Sequence, residues 1–129
     1  MANTLPDKAQ AIQTFWSGFG LPAYDERTVP DDAVMPYITY DFKADSIGDF
    51  VTLNASLWYK SPSWEAISKK AEEIAQAIVT MRPPSIQIDT GRLYITKARP
   101  FAQRFPAENE EDLIRRVTLT VYAEYLTNY

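Results

Sequence analysis

With neither histidine nor cysteine among its 129 residues, any catalysis by this chain would have to use carboxylates, lysine, serine or threonine, or tyrosine. Without cysteine there are no disulfides, thiolate nucleophiles or thiolate zinc sites. Without histidine the commonest general base and the commonest transition-metal ligand are missing. Asp89-Thr90-Gly91 follows an apolar strand, as in one half of an aspartic protease site. A chain this short would have to pair two copies to bring two aspartates together. Arg92 stands where those enzymes carry a small residue, and no glycine follows Gly91, so a hairpin turn is the better reading. Acidic pairs occur at Asp31/Asp32, Glu72/Glu73 and Glu110/Glu111. Such pairs can serve glycosidic acid–base work or hold Mg²⁺ or Ca²⁺. None has calcium-loop spacing, and Glu72/Glu73 falls on the outer face of a helix, so solvated surface charge is expected. The four glycines form no phosphate loop. No catalytic residue, cofactor-binding residue or metal ligand is expected, which leaves a small carboxylate-dependent hydrolase as a distant alternative.

The arginines are more informative. Arg99, Arg104, Arg115 and Arg116 gather around one loop and one strand, with Phe101 and Phe105 interleaved. Arginine with aromatics suits nucleic-acid stacking and equally suits the anchors of a protein interface. Seventeen acidic against thirteen basic residues give a net charge of −4, which favours the protein interface over a dedicated nucleic-acid binder. Those six residues are the candidate subunit interface. An internal role is the alternative, with the arginines paired to Glu108, Glu110, Glu111 and Asp112. Trp16, Trp58 and Trp64 could line a pocket, but on amphipathic elements the core is the better expectation.

These residues need a scaffold. The length and a 46% hydrophobic content fit one domain with its own core. No secretory leader and no apolar run of spanning length is visible, so the expected compartment during synthesis is the cytoplasm. Residues 4–19 read as a helix capped by Thr4, with Leu5, Ala9, Ile12, Trp16 and Phe19 on one face. Residues 20–36, with three prolines, read as an extended connector on which Leu21, Tyr24, Val29, Val34 and Met35 could pack. Tyr37–Lys43 and Phe50–Lys60 alternate and read as a hairpin about the loop at 44–49. In the first strand Ile38, Tyr40 and Phe42 share a side. In the second Val51, Leu53, Ala55, Leu57 and Tyr59 face the core, and Trp58 breaks the polarity of the other face.

Ser61-Pro62 predicts the start of a helix running to about Met81, stopped by Pro83-Pro84. Its apolar stripe is Trp64, Ile67, Ala71, Ile74, Ile78 and Met81, with Glu65/Lys69 and Lys69/Glu73 as outer ion pairs. Ser85–Asp89 and Arg92–Lys97 form a second hairpin about Thr90-Gly91. Pairing Ile88 with Leu93 and Ile86 with Ile95 keeps one apolar face but gives Thr90 a positive φ. A three-residue turn relieves that strain and spoils the face. A loop at Pro100–Pro106 and an acidic segment at Glu108–Asp112 lead to a last strand with Val117, Leu119, Val121, Ala123 and Tyr125 inward. Its length exceeds the usual five or six residues, which points to a role at an interface. The expected fold is a single-domain α+β structure, a mostly antiparallel or mixed sheet of about five strands with two helices on one face.

Several stretches also carry a resemblance. They are Phe15-Trp16-Ser17-Gly18-Phe19-Gly20-Leu21-Pro22-Ala23-Tyr24, Val29-Pro30-Asp31-Asp32-Ala33, Pro36-Tyr37-Ile38-Thr39-Tyr40 and Leu57-Trp58-Tyr59-Lys60-Ser61 with Ser63-Trp64. Glu72-Glu73-Ile74, Pro100-Phe101-Ala102-Gln103-Arg104, Arg115-Arg116 and Glu124-Tyr125-Leu126-Thr127 follow. In that order they resemble the tail-terminator or tail-completion proteins of siphophages over nearly the whole chain. The resemblance implies a virion protein assembled in the host cytoplasm. It implies a homo-oligomeric ring, expected to be a hexamer, on the head-proximal end of the tail tube. Its partners would be the tube protein and the head–tail connector proteins, with DNA passing through the lumen unbound and no membrane involved. A connector or minor capsid protein of the neck is the nearest alternative. No cofactor is implied.

Overall fold

The computed structural model describes residues 5–43, 50–81, 85–105 and 113–127. They form an α+β domain of two helices and a six-stranded mixed sheet curled into a half-barrel. The strands are β1 (Ala23–Asp25), β2 (Tyr37–Tyr40), β3 (Phe50–Lys60), β4 (Ser85–Ile88), β5 (Gly91–Phe105) and β6 (Ile114–Thr127). The helices are α1 (Lys8–Ser17) and α2 (Glu65–Thr80). Sheet order is β1-β2-β3-β6-β5-β4, with β1 parallel to β2 and every other pair antiparallel.

The alternation of apolar residues sets which face is buried. Leu53, Ala55 and Leu57 of β3 and Val117, Leu119, Val121, Ala123 and Tyr125 of β6 point into one core. Ala11, Ile12, Phe15 and Trp16 of α1 and Ile67, Ala71, Ile74 and Ile78 of α2 complete it. Helix α2 lies over β3, β5 and β6, whereas α1 touches both β1 and β4 and so closes the open side of the curled sheet. The Asp89 N–H reinforces that closure by donating to the Pro6 carbonyl at 2.9 Å.

Several expectations are corrected. Helix α1 is shorter than 4–19. Its N-cap is Asp7, whose carboxylate accepts the Gln10 N–H while the Gln10 side chain takes the Asp7 N–H. Thr4 lies outside the described residues. The helix ends at Gly18, and Gly20 takes a φ of 86°, which disfavours any side chain. The connector contains β1, a strand too short to alternate detectably, and Val34 within it is 79% exposed rather than packed. Strand β2 stops at Tyr40, leaving Phe42 exposed. The loop expected at 44–49 lies outside the described residues.

Helix α2 starts three residues later than Ser61-Pro62 implied. Ser61 and Ser63 cap turns ahead of it, through the N–H groups of Ser63 and Glu65, and Trp64 sits at the N-cap. Its outer ion pair is Lys70–Glu73 at 2.5 Å rather than either expected pair. Pro83 and Pro84 lie outside the described residues. The second hairpin pairs Ile86 with Leu93 and Ile88 with Gly91, a register two residues from the expected one. The apolar face survives the slip because strands have a period of two. The turn is Asp89-Thr90, so Thr90 is spared a positive φ, and Gly91 opens β5 at φ 152°.

Pro106 lies outside the described residues, and the larger correction concerns residues 100–105, expected as part of the loop Pro100–Pro106. They continue β5 along β6, through a bulge in which Ala98–Phe101 stand opposite Thr120 alone. The bulge accommodates Pro100, which has no N–H for a ladder. Ala98 and Phe101 turn into the core, while Arg99 and Pro100 are exposed. The length of β6 has an internal use too. It is the central strand, paired with β3 from Ile114 to Glu124 and with β5 from Arg116 to Thr127.

Candidate functional site

The strand registers bring the arginines to one end of the sheet. Tyr37 is opposite Trp58, Trp58 opposite Arg116, and Arg116 opposite Phe105. These four side chains form a row across β2, β3, β6 and β5 on the face away from the core. Tyr24 extends it, its ring 5.7 Å from that of Tyr37 at an interplanar angle of 75°. The Arg116 guanidinium lies between two rings, 4.8 Å from the centre of Trp58 and 4.4 Å from that of Phe105. A planar cation gains from both ring faces. Arg116 Nε also donates to Ser56 Oγ at 3.0 Å, and Trp58 Nε1 donates to Thr39 Oγ1 at 2.8 Å. The two buried hydroxyl side chains of this face are thereby partnered.

Around the end of the sheet, on the helix side, the roles reverse and the ring is held between cations. The Trp64 ring centre is 5.1 Å from the Arg104 guanidinium and 5.5 Å from that of Arg115. Arg115 is only 9% exposed. It donates to the carbonyls of Pro62 and Ile114, both at 3.3 Å, and its Nε has no acceptor among the described residues. A buried guanidinium without a carboxylate is costly, and the Trp64 ring and the two carbonyls offset part of that cost.

Two ion pairs occur among the described residues, Lys43–Asp41 and Lys70–Glu73, and neither reaches these arginines. The acidic residues expected to brace them, Glu108, Glu110, Glu111 and Asp112, lie outside the described residues. Among the described residues, Arg104, Arg115 and Arg116 gather positive charge at one end of the sheet, on a chain of net charge −4.

Of the six candidate interface residues, the structure brings Arg104, Phe105, Arg115 and Arg116 together. Arg99 stands apart on the bulge. Phe101 is a core residue at 8% exposure, so its surface is already committed within its own subunit. Trp58 and Trp64, expected as core, are the half-buried partners of the arginines. The signal for Trp58 was its break in the polar face of β3; Trp64 gave none, because it falls on the apolar stripe of α2.

Among the described residues the carboxylates do not converge. Asp89 sits in a hairpin turn, Asp31 and Asp32 are exposed, and Glu110/Glu111 lies outside the described residues. Among the described residues no group of three or more acidic side chains is placed to hold a metal ion. The Lys70 ammonium holds the exposed Glu73 carboxyl below the usual range, as in a surface ion pair. Burial raises the phenols of Tyr40 and Tyr59; Asp25 adds to the first, while Lys70 opposes the second. These shifts belong to packing rather than to a poised acid or base. What the arrangement offers is a contact surface of flat aromatic faces and fixed positive charge. The chain matches no protein-family model and no curated protein sequence.

Proposed function

We propose that this chain is a structural subunit of a phage tail. It acts as a terminator or completion protein that self-assembles into a ring, caps the tail tube and presents a docking surface to the connector proteins of the head. The reading rests on the sequence resemblance. The observation that carries it is the cation–aromatic end of the sheet, which has no carboxylate partner among the described residues. Aromatic rings and arginine with part of their surface exposed are the composition of interface anchors. A ring requires each subunit to carry two different, complementary patches. A net charge of −4 suits a lumen through which DNA slides without adhering. The same composition serves a connector or minor capsid protein of the neck, which differs in the partner it meets.

The test is sedimentation velocity with negative-stain imaging of the full chain, alone and mixed with tube subunits. Closed rings and capped tubes are the expected result. A chain that stays monomeric in both samples would refute the reading. Rings that ignore tubes and bind the portal side would favour the connector.

A further inference from the structure

The two edges of the sheet differ in charge and in shape. Strand β4 covers β5 only over residues 91–94. From Ile95 to Phe105, β5 has β6 on one side and no strand on the other among the described residues. This free edge carries Lys97, Arg99 and Arg104, all exposed, and no carboxylate. Beside it, between α2 and β5, lies a groove of about 280 Å³. Its floor is Ala71, Ala75, Phe101, Ala102 and Val117, and Arg104 stands on its strand-side rim. The small side chains of Ala71 and Ala75 leave the space. Glu72 forms the opposite rim.

The other edge of the sheet is β1 and the turns that follow it. Asp25, Glu26, Asp31 and Asp32 lie there with Arg27 as the one cation. The Ala33 N–H donates to the Pro30 carbonyl at 3.1 Å, closing a turn that projects Val34. At 79%, Val34 is the most exposed large hydrophobic among the described residues. One edge thus has an apolar knob flanked by acids. The opposite edge has an apolar groove flanked by bases.

We propose that the groove beside β5 receives the Val34 turn of a second copy of this chain, so that copies join head to tail. Val34 seats on Ala75 and Ala102, the accessible apolar lining of the groove. Asp31 and Asp32 meet Arg99 and Arg104, and Arg27 meets Glu72. The two patches are different surfaces of the chain, so the contact is heterologous and repeats from copy to copy, generating a ring where the rotation closes. The inference rests on the reading of the chain as a ring subunit, and it names the two faces that meet.

Three variants of the full chain test it by sedimentation velocity at low salt. They are Arg99→Glu with Arg104→Glu, Asp31→Lys with Asp32→Lys, and Ala75→Leu to fill the groove. The charged positions are exposed and leucine is a good helix former, so folding is retained and is checked by far-UV circular dichroism. Each variant alone is expected to weaken self-association about tenfold or more in dissociation constant. An equimolar mixture of the two charge-reversed variants is expected to recover assembly, because the acidic edges of one then face the basic edges of the other. High salt should weaken wild-type assembly. Variants that assemble like wild type overturn the proposal and leave the ring reading standing. A wild type that is monomeric with and without tube subunits overturns both. Assemblies that respond to the charge swap but never cap a tube uphold the contact and remove the tail role.

Discussion

Arg116 is the side chain on which the cation–aromatic row depends, and replacing it with methionine isolates its charge. Methionine keeps the length of the stem and loses the guanidinium. Two ring contacts at a half-buried site are together worth about 1–2 kcal/mol. The Nε–Ser56 hydrogen bond adds roughly 1 kcal/mol, and Ser56 is only 5% exposed, so water does not readily replace the lost donor. The thioether returns about 0.5 kcal/mol through its own contact with Trp58 and Phe105. The expected net loss is about 2 kcal/mol. That is tolerable for a domain whose total stability is on the order of 5–15 kcal/mol. Urea unfolding of the wild type, Arg116→Met, Trp58→Leu and the double variant provides the cycle, with a coupling of about 0.5–1 kcal/mol expected between Arg116 and Trp58. A loss below about 0.5 kcal/mol with no coupling would show that the guanidinium is solvated and the row is not an energetic unit.

Two further outcomes follow from buried groups. Burial, with the Asp41 charge adding to it, pushes the Tyr125 phenol up to about 12, and its hydroxyl donates to the Lys43 carbonyl at 2.9 Å. The fold favours the protonated form, so this stability is fully present below about pH 10 and is lost, about 3 kcal/mol in total, as pH rises from about 10 to about 12. Tyr125→Phe should lower stability by about 1 kcal/mol at neutral pH and flatten that alkaline slope, read by urea midpoints on either side of about pH 10. Trp64→Ala should cost about 2–3 kcal/mol, less than a fully buried tryptophan, because the ring is half-buried and held between Arg104 and Arg115. A thermal or urea scan showing no loss would mean that the two arginines do not use the ring.

How much was legible depended on whether a signal was local. Alternation in Val51–Leu57 and Val117–Tyr125 identified β3 and β6 and their core faces, since burial on one face imposes a period of two. The α2 stripe was legible for the same reason at helical spacing. Strand β1 was not, because three residues carry no period and their pairing with β2 is a tertiary event. Pro100–Pro106 read as a loop because Pro100 cannot donate to a ladder, and a bulge is not encoded by composition. The register of the second hairpin was missed because pairings two residues apart preserve the same face. At the candidate site the arginines were legible as a cluster in sequence, but their partners were not. Trp58 reaches Arg116 through a strand register, and Trp64 reaches Arg104 where the start of α2 lies over β5, in both cases between segments distant in the chain.

The central place of β6 has a consequence for how the domain forms. Strands β1–β3 and strands β4–β5 are two separate sheets until β6 joins them, and Val51 meets Ala123 and Leu93 meets Tyr125 only across that strand. Strand β6 follows β5 directly in the chain, whereas its seam with β3 closes the long stretch from Lys60 to Ile114, a non-local pairing that slows folding. Until β6 docks, β3 and β5 each expose a long apolar-faced edge of unpaired backbone, so chains that stall at that stage are the ones most prone to aggregate.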